Sequence, residues 1–127
     1  MKCLRIYADE SGTSHFADID IPLVPMELFP GVPSISLSAW FTATAVRFAW
    51  VPAGMRVADW HTTPVRQLVV WLTGWVEFET SDGEVRRCDP GAVVLVEDTF
   101  GRGHISRHPE EGQFVMFVPV PDGLNIG

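Results

Sequence analysis

Basic residues are scarce in this sequence. Lys and Arg together number nine against sixteen Asp and Glu, which gives a formal net charge of −7, and no more than two basic residues occur in succession. Proteins that bind nucleic acids present a basic patch or stripe to the phosphate backbone. We therefore expect neither DNA nor RNA as a partner.

Long apolar runs are also missing. The longest, such as residues 68–72, are far shorter than the roughly 18 residues that a membrane-spanning helix needs. Residues 1–5 lack the apolar region of a secretory signal peptide. These two absences predict a cytoplasmic protein with no membrane contact.

Cysteine is limited to Cys3 and Cys88, whose spacing matches no disulfide framework, redox pair or structural zinc site. We expect both thiols to be reduced. The sequence also lacks a sustained apolar stripe of helical period with capping residues, so helices are not expected. Its 127 residues, 46% of them apolar, suit one domain with a substantial core, which we assign to residues 1–127.

Short strand candidates separated by turn signals fill the chain instead. Residues 1–50 carry strands on either side of a proline-rich crossover, residues 22–33, whose apolar side chains we expect to cover a core edge. The candidates are residues 2–8, 14–21, 34–41, 43–51, 68–72, 75–79, 84–87, 92–96 and 113–118. Many short strands with regular turns predict an all-β sandwich or barrel.

Two of the turns predict hairpins. Thr73 and Gly74 separate the strand candidates at residues 68–72 and 75–79, and glycine is the residue that tight hairpin turns favour. Residues 81–83, which end in a glycine, form a second turn signal. We expect each of these turns to join neighbouring antiparallel strands.

The stretch from Gly54 to His104 resembles the two sequence motifs of the cupin family. Gly54 and Gly74 stand at the glycine positions of the first motif, and Gln67 stands at its Glu position. A Pro-Gly pair at residues 90–91 opens the second motif, and His104 stands at its His. The resemblance implies a small single-domain cupin, which is an all-β jelly-roll barrel or double-stranded β-helix.

Within that fold, residues 54–119 would form the barrel that carries the motifs. In metal-holding members of the family, three His and one Glu bind a metal in the mouth of the barrel. This sequence keeps the frame of the motifs but has different residues at several ligand positions.

Residues 59–62 leave two registers open. With the strict spacing of the family, Trp60 and Thr62 take the two His positions of the first motif, whereas one inserted residue near Pro64 puts Asp59 and His61 there. Because side chains alternate along a strand, only one of these pairs can point into the barrel. We favour Asp59 and His61, since a proline just after a strand is a natural place for an inserted residue or bulge.

The favoured register implies a metal-ligand set of Asp59, His61, Gln67 and His104. Imidazole and carboxylate ligands suit one divalent ion such as Zn, Fe, Mn or Ni. A neutral Gln is a weak ligand, so this set would hold a metal less tightly than three His and a Glu.

A metal-free site is the alternative use of the same residues. Histidine ordinarily titrates near neutral pH, so His61 or His104 is suited to general acid–base catalysis. Asp59 or Glu97 would orient the imidazole, and Gln67 would donate a hydrogen bond to a substrate oxygen. We therefore predict His61, His104, Gln67 and Glu97 as catalytic residues.

Three more residues are candidates for holding the ligand. Trp60 or Trp71 would supply an aromatic wall, although aromatic residues mostly fill the cores of small β domains. Arg66 would clamp a substrate carboxylate, with an outward-facing solvated side chain as the alternative.

Together these features predict a small organic molecule as the ligand in the barrel mouth. We favour an enzyme of the isomerase, lyase or cyclase type that acts on a small carbonyl compound. A non-catalytic binding or sensor cupin is the competing interpretation. The resemblance to other small cupins also implies a homodimer.

Overall fold

The computed structural model describes residues 1–126, and those residues form twelve β-strands and no helix. The strands are β1 (Lys2–Ala8), β2 (Ser14–Asp20), β3 (Val24–Met26), β4 (Ile35–Leu37), β5 (Arg47–Val51), β6 (Val57–His61), β7 (Gln67–Trp71), β8 (Val76–Thr80), β9 (Val85–Cys88), β10 (Val93–Val96), β11 (His104–Arg107) and β12 (Gln113–Pro119). The all-β prediction is confirmed, and the arrangement is consistent with a jelly-roll type of fold. No helix in the described range is long and apolar enough to cross a membrane.

Two sheets enclose the main core. The larger has six strands in the order β2-β1-β10-β7-β12-β5, and the smaller has four in the order β6-β11-β8-β9. Trp71 and Val94 of the larger sheet belong to the same buried cluster as Val76 and Phe78 of the smaller one. Successive side chains of a strand point to opposite faces, so each strand contributes alternate residues to this shared core.

The turn at Gly74 does not form the hairpin that the sequence predicted. Strand β7 pairs with β10 and β12, whereas β8 pairs with β9 and β11, so the chain crosses from one sheet to the other between them. Gly74 has a positive φ of 70°, and an added Cβ would lie 2.9 Å from Cγ of Pro109. A tight glycine turn therefore connects two packed sheets here rather than two neighbouring strands.

The second predicted hairpin is confirmed. Strands β8 and β9 are antiparallel neighbours, with Glu79 opposite Val85, and the turn between them contains Asp82 and Gly83. The Asp82 carboxylate accepts hydrogen bonds from the Thr80 hydroxyl and the Glu84 amide. A short polar side chain thus closes the turn in the way that sequence composition suggested.

The proline-rich segment differs from the expectation that it covers a core edge. Strands β3 and β4 pair only with each other, and their register sets Met26 opposite Ile35. Leu23, Met26, Leu28 and Phe29 are all exposed. The prolines exclude this segment from the main sheets, as predicted, but its apolar side chains do not pack into the core.

Candidate functional site

An open cavity of about 700 Å³ lies between the two sheets. The larger sheet contributes Gln67 and Trp71 to its wall, and the smaller sheet contributes His61, His104 and Phe78. Cavities of this size accommodate small organic molecules, which usually bind in mostly apolar clefts with a few convergent polar groups. This cavity is the candidate functional site.

Two histidines that lie far apart in the sequence face each other in this cavity. Strands β6 and β11 are antiparallel neighbours, and their register places His61 directly opposite His104. The two ring centroids are 4.6 Å apart. The structure therefore brings together the two imidazoles that the motif frame singled out.

Gly103 allows this close approach of β6 and β11. Its φ is +78°, and an added Cβ would overlap the backbone carbonyl of His61 and the amide nitrogen of Thr62. Any other residue would have to push the two strands apart. The glycine immediately before His104 is thus a geometric requirement of the histidine pair.

His104 is held by a carboxylate that the sequence analysis did not assign to the site. Its Nδ1 lies 2.5 Å from Oδ2 of Asp98, and the Asp98 side chain is 0% exposed. The other carboxylate oxygen, Oδ1, has no hydrogen-bond partner among the described residues. A carboxylate that accepts the Nδ1 proton fixes the imidazole orientation and leaves Nε2 as the functional nitrogen.

His61 lies at the open side of the cavity and has the same pattern. Its Nδ1 lies 2.6 Å from the backbone carbonyl oxygen of Asp59, and a carbonyl can only accept a hydrogen bond. Nδ1 must therefore carry the proton, which leaves Nε2 as the free nitrogen. The orientation of each ring is thus fixed by a hydrogen-bond acceptor, which is a backbone carbonyl for His61 and a carboxylate for His104.

Gln67 lies in the cavity wall with a fixed amide orientation. The Thr63 hydroxyl donates to the carbonyl of Val65, so its oxygen can accept from Nε2 of Gln67 at 3.2 Å. Because the Thr63 proton is already used, the nitrogen rather than the oxygen of the amide faces Thr63. Gln67 keeps a second N–H that can donate to a ligand, as the sequence predicted for this residue type.

A second hydrogen-bonded chain lies behind the cavity and was not predicted as part of the site. The amide of Gln113 donates to the carbonyls of Thr73 and Trp75, so its oxygen accepts from Nδ1 of His108. Nε2 of His108 then accepts from the hydroxyl of Ser106, which lines the cavity.

Two effects lower the pKa of His108. Burial is the larger, and the charge of nearby His61 lowers it further, while the hydrogen bond to Gln113 raises it. His108 is therefore a hydrogen-bonded core residue whose neutral form is favoured. Alternation along β11 puts Ser106 and His108 on the face of His104, and this short-range signal could have linked them to the site.

Asp59 and Trp60 do not line the cavity. The Asp59 carboxylate is exposed and accepts a hydrogen bond from the amide of Trp60. The Trp60 ring stacks on the guanidinium of Arg102, 4.3 Å from its carbon, outside the cavity. The backbone carbonyl of Asp59, rather than its carboxylate, contributes to the site through its hydrogen bond to His61.

Glu97 and Arg66 lie on the other face of the larger sheet, which corrects their assignment to the cavity. Val94 and Val96 point into the main core, so alternation directs Glu97 the opposite way. There its carboxylate pairs with Arg66 and, at 2.5 Å, with Arg5, beside a separate pocket of about 190 Å³. Asp98, the next residue, takes the orienting role that was predicted for Glu97.

The predicted four-ligand metal set does not assemble. Two imidazoles present Nε2 in one cavity, and each donates its Nδ1 proton to a carbonyl or carboxylate, as metal-binding histidines do. Catalytic metal sites, however, use three protein ligands, and within residues 1–126 no group of three His, Cys, Asp or Glu side chains is positioned to bind one ion. The residues brought together here therefore do not fit a catalytic metal site of that kind.

Comparison of the sequence with models of protein families and with curated proteins found no match. The class that the fold and the site define is an all-β protein of two packed sheets with a histidine pair in an open cavity. A fold of this class hosts many functions, so the function of this protein depends on the residues of the site.

Proposed function

We propose that this protein is a small cupin-like enzyme that binds a small carbonyl compound between its sheets and moves a proton on it. The observation that carries the proposal is the pairing of His61 with His104 in a cavity of about 700 Å³, with His104 fixed by buried Asp98. A fixed imidazole with one free nitrogen is the usual general acid–base group of enzymes at neutral pH. The expected cytoplasmic location belongs to the same proposal.

In this mechanism the two histidines have complementary roles. Nε2 of His104 accepts a proton from a carbon or hydroxyl of the ligand, and Asp98 stabilises the imidazolium that forms. Nε2 of His61, in its protonated form, returns a proton at a second position of the ligand. The free N–H of Gln67 donates to the carbonyl oxygen while negative charge develops there. Proton removal and return at different atoms is an isomerisation, and loss of water at the second atom is a dehydration.

A non-catalytic binding or sensor protein is the second candidate function. The observation that favours it is the character of the cavity wall, which includes Val65, Val69, Val96 and Phe117. Apolar walls of this kind bind ligands by removing apolar surface from water and require no chemistry.

The test combines a binding screen with a proton-exchange assay. Any ligand of the folded state raises the melting temperature, so thermal-shift screening of small carbonyl compounds identifies binders. Each binder is then incubated with the protein in D₂O, and incorporation of deuterium next to the carbonyl is followed by NMR. Exchange that is lost in His104→Gln supports the enzyme.

The matched control is His15→Gln, because His15 is bound to Asp9 and Asp82 outside the cavity wall. This variant must keep the exchange activity of the wild type. Binding without deuterium incorporation supports the sensor alternative. Elemental analysis of the same preparations decides the metal question, since an equimolar transition metal that is lost in the double variant His61→Ala/His104→Ala would establish a metal site and overturn the metal-free mechanism.

A further inference from the structure

The composition of the cavity wall differs from that of the whole protein. The sequence contains sixteen Asp and Glu, yet in the described part of the chain no acidic side chain lines the cavity wall. The charged or chargeable groups of the lining are Arg47, His61 and His104. Arg47 is thus the one permanently charged side chain among the described residues of the wall, and the Asp98 carboxylate behind His104 is already bound to that ring.

Arg47 points toward this cavity from the edge strand of the larger sheet. Ala49 and Val51, which lie on the same face of β5, pack against the main core. Arg47 therefore faces inward as well, opposite Phe117 of β12, another residue of the cavity wall. The direction follows from alternation, and because the Arg47 side chain is exposed, its guanidinium lies where the cavity wall meets solvent.

Arg47 is also left without a protein anion. The arginine ion pairs found in residues 1–126 involve Arg5, Arg66, Arg86 and Arg107 and do not include Arg47. A guanidinium at the wall of an apolar cavity, with its donors free, suits a planar carboxylate that it can bind through two parallel hydrogen bonds.

We propose that the ligand of the cavity is a small monoanion with an apolar body, whose carboxylate binds Arg47 while its body lies between the sheets. This inference rests on the proposed function in using the same cavity. Arg47 is the one arginine among the described residues of the cavity wall, and in a chain of net charge −7 it favours a ligand with one negative charge over a ligand with two. Valine and phenylalanine side chains of the wall enclose the apolar body, and the histidine pair lies at the opposite sheet.

The experiment compares three probes of one shape: hexanoate, hexanamide and hexylammonium. Their affinities for the full-length protein are measured by NMR titration, in which the imidazole signals of His61 and His104 report entry into the cavity. We expect hexanoate to bind at least about tenfold more tightly than hexanamide, as a charge-assisted bidentate pair requires. Arg47→Gln should abolish this preference and leave hexanamide binding unchanged.

Arg87→Gln is the matched control, because Arg87 stacks on Trp75 at 3.9 Å and does not line the cavity. It must retain the preference for hexanoate. Equal binding of hexanoate and hexanamide would overturn the carboxylate inference and leave cavity binding intact, whereas failure of all three probes to bind overturns both. Stronger binding of hexyl phosphate than of hexanoate would also overturn it, in favour of a dianion.

A different observation concerns the outer face of the larger sheet. Because Ala49, Val51 and Val115 point into the core, the residues next to them on the same strands point outward. These are Phe48 and Trp50 of β5 and Phe114 of β12, which are 67%, 50% and 53% exposed. The β5 and β12 side of the larger sheet is therefore apolar on both faces, which is typical of sheets that are covered on both sides.

The chain itself covers only half of that outer face. Leu95 and Cys3, on the β1 and β10 side, form a buried cluster with Val120, and Leu124 of the C-terminal segment packs against them. On the β12 and β5 side, Trp50 and Phe114 stack on each other at 4.7 Å and stay exposed.

The resemblance to small cupins already implies a homodimer, and we infer that its interface is this exposed half, which we name the β5–β12 face: Phe48, Trp50, Phe114, Met116, Val70 and Leu72. Full burial of these side chains would remove about 500 Å² of apolar surface per copy, judged from the usual burial of aromatic residues and their exposure. A standard interface buries roughly 800 Å² per partner, about 65% of it apolar in homodimers. The face thus matches what a stable symmetric dimer needs.

Sedimentation velocity across a wide range of protein concentration tests this inference. The wild type should sediment as a dimer, and Phe48→Glu should weaken the dimer at least about tenfold, since a charge buried in an apolar interface loses its hydration. Val85→Glu, an equally drastic change at an exposed valine of β9, should leave the dimer intact. A monomeric wild type overturns the inference. A dimer that resists Phe48→Glu also overturns it. If that dimer dissociates with Met26→Glu, the paired strands β3 and β4 form the interface instead.

Discussion

His104 and Asp98, six residues apart in the sequence, are joined by a 2.5 Å hydrogen bond between Nδ1 and Oδ2 in the interior of the protein. The carboxylate arrives at the end of β10 and the imidazole at the start of β11, so the turn between these strands positions both groups. The backbone amide of Thr63 also donates to the carbonyl of Asp98, which ties this turn to the connection between β6 and β7 that precedes Gln67. The imidazole thus lines the cavity, while the carboxylate that holds it is buried behind the wall.

The first prediction concerns this pair. Asp98→Ala should lower the free energy of unfolding by about 2 kcal/mol, since it removes a buried hydrogen bond to a charged group. It should also release the His104 tautomer, so that the nitrogen-15 shifts of the ring show a mixture of Nδ1–H and Nε2–H forms. Asp18→Ala, which removes an exposed carboxylate paired with Arg86, is the control and should change neither quantity. A fixed Nδ1–H tautomer in Asp98→Ala would contradict the orienting role of the carboxylate.

The motif frame located His61 and His104 but not Asp98, the carboxylate that holds His104. Residues 59–62 were open to two registers, and only the packing of β6 on β11 places His61 opposite His104. From the sequence we predict Glu97 rather than Asp98 as the orienting carboxylate, because the end of a strand does not reveal which way the next side chain points. Counting alternation from Val94 and Val96 would have directed Glu97 away from the cavity.

The other error concerned pairing rather than strand location. Most strands lie where turn signals and apolar alternation predicted them, because both are local properties of the chain. The partner of a strand is a non-local property. The turn at Gly74 looks like a hairpin turn, but Gln113, Pro109 and the core residue Trp71 surround a crossing between sheets.

The second prediction is that the pKa values of two histidines are shifted in opposite directions from the ordinary value. The hydrogen bond to Asp9 is the main cause that raises the pKa of His15, and contacts with Asp82 add to it. Burial is the main cause that lowers the pKa of His108. At a pH near 6.5, the ordinary value for histidine, NMR should show His15 mostly protonated and His108 mostly neutral. A charged His108 at that pH would mean that Ser106 and Gln113 do not hold it as described.

The third prediction turns the His15 shift into a stability effect. A histidine whose folded pKa is raised stabilises the folded state fully at pH values below its unfolded pKa, near 6.5, and this contribution is lost as the pH rises through the folded value. Unfolding by urea should therefore show that wild type loses more stability than His15→Gln as the pH rises from 6 to 8. The residues that face His15 are Asp9, Asp82 and Tyr7, whose ring is 5.5 Å away. Parallel pH profiles of the two proteins would contradict this assignment.

The fourth prediction separates two costs of replacing glycine. Gly103 and Gly83 both have positive φ, at 78° and 93°, but an added Cβ at Gly83 meets nothing within 4 Å, whereas at Gly103 it overlaps the His61 carbonyl. Gly83→Ala should cost only the left-handed backbone strain of about 1–2 kcal/mol. Gly103→Ala should cost clearly more, about 3 kcal/mol or above, because β6 must move away from β11. Urea unfolding measures both variants, and a ligand titration of Gly103→Ala should show weakened binding as the histidine rings separate. Equal losses of stability in the two variants would show that the two strands are not held as close together as Gly103 implies.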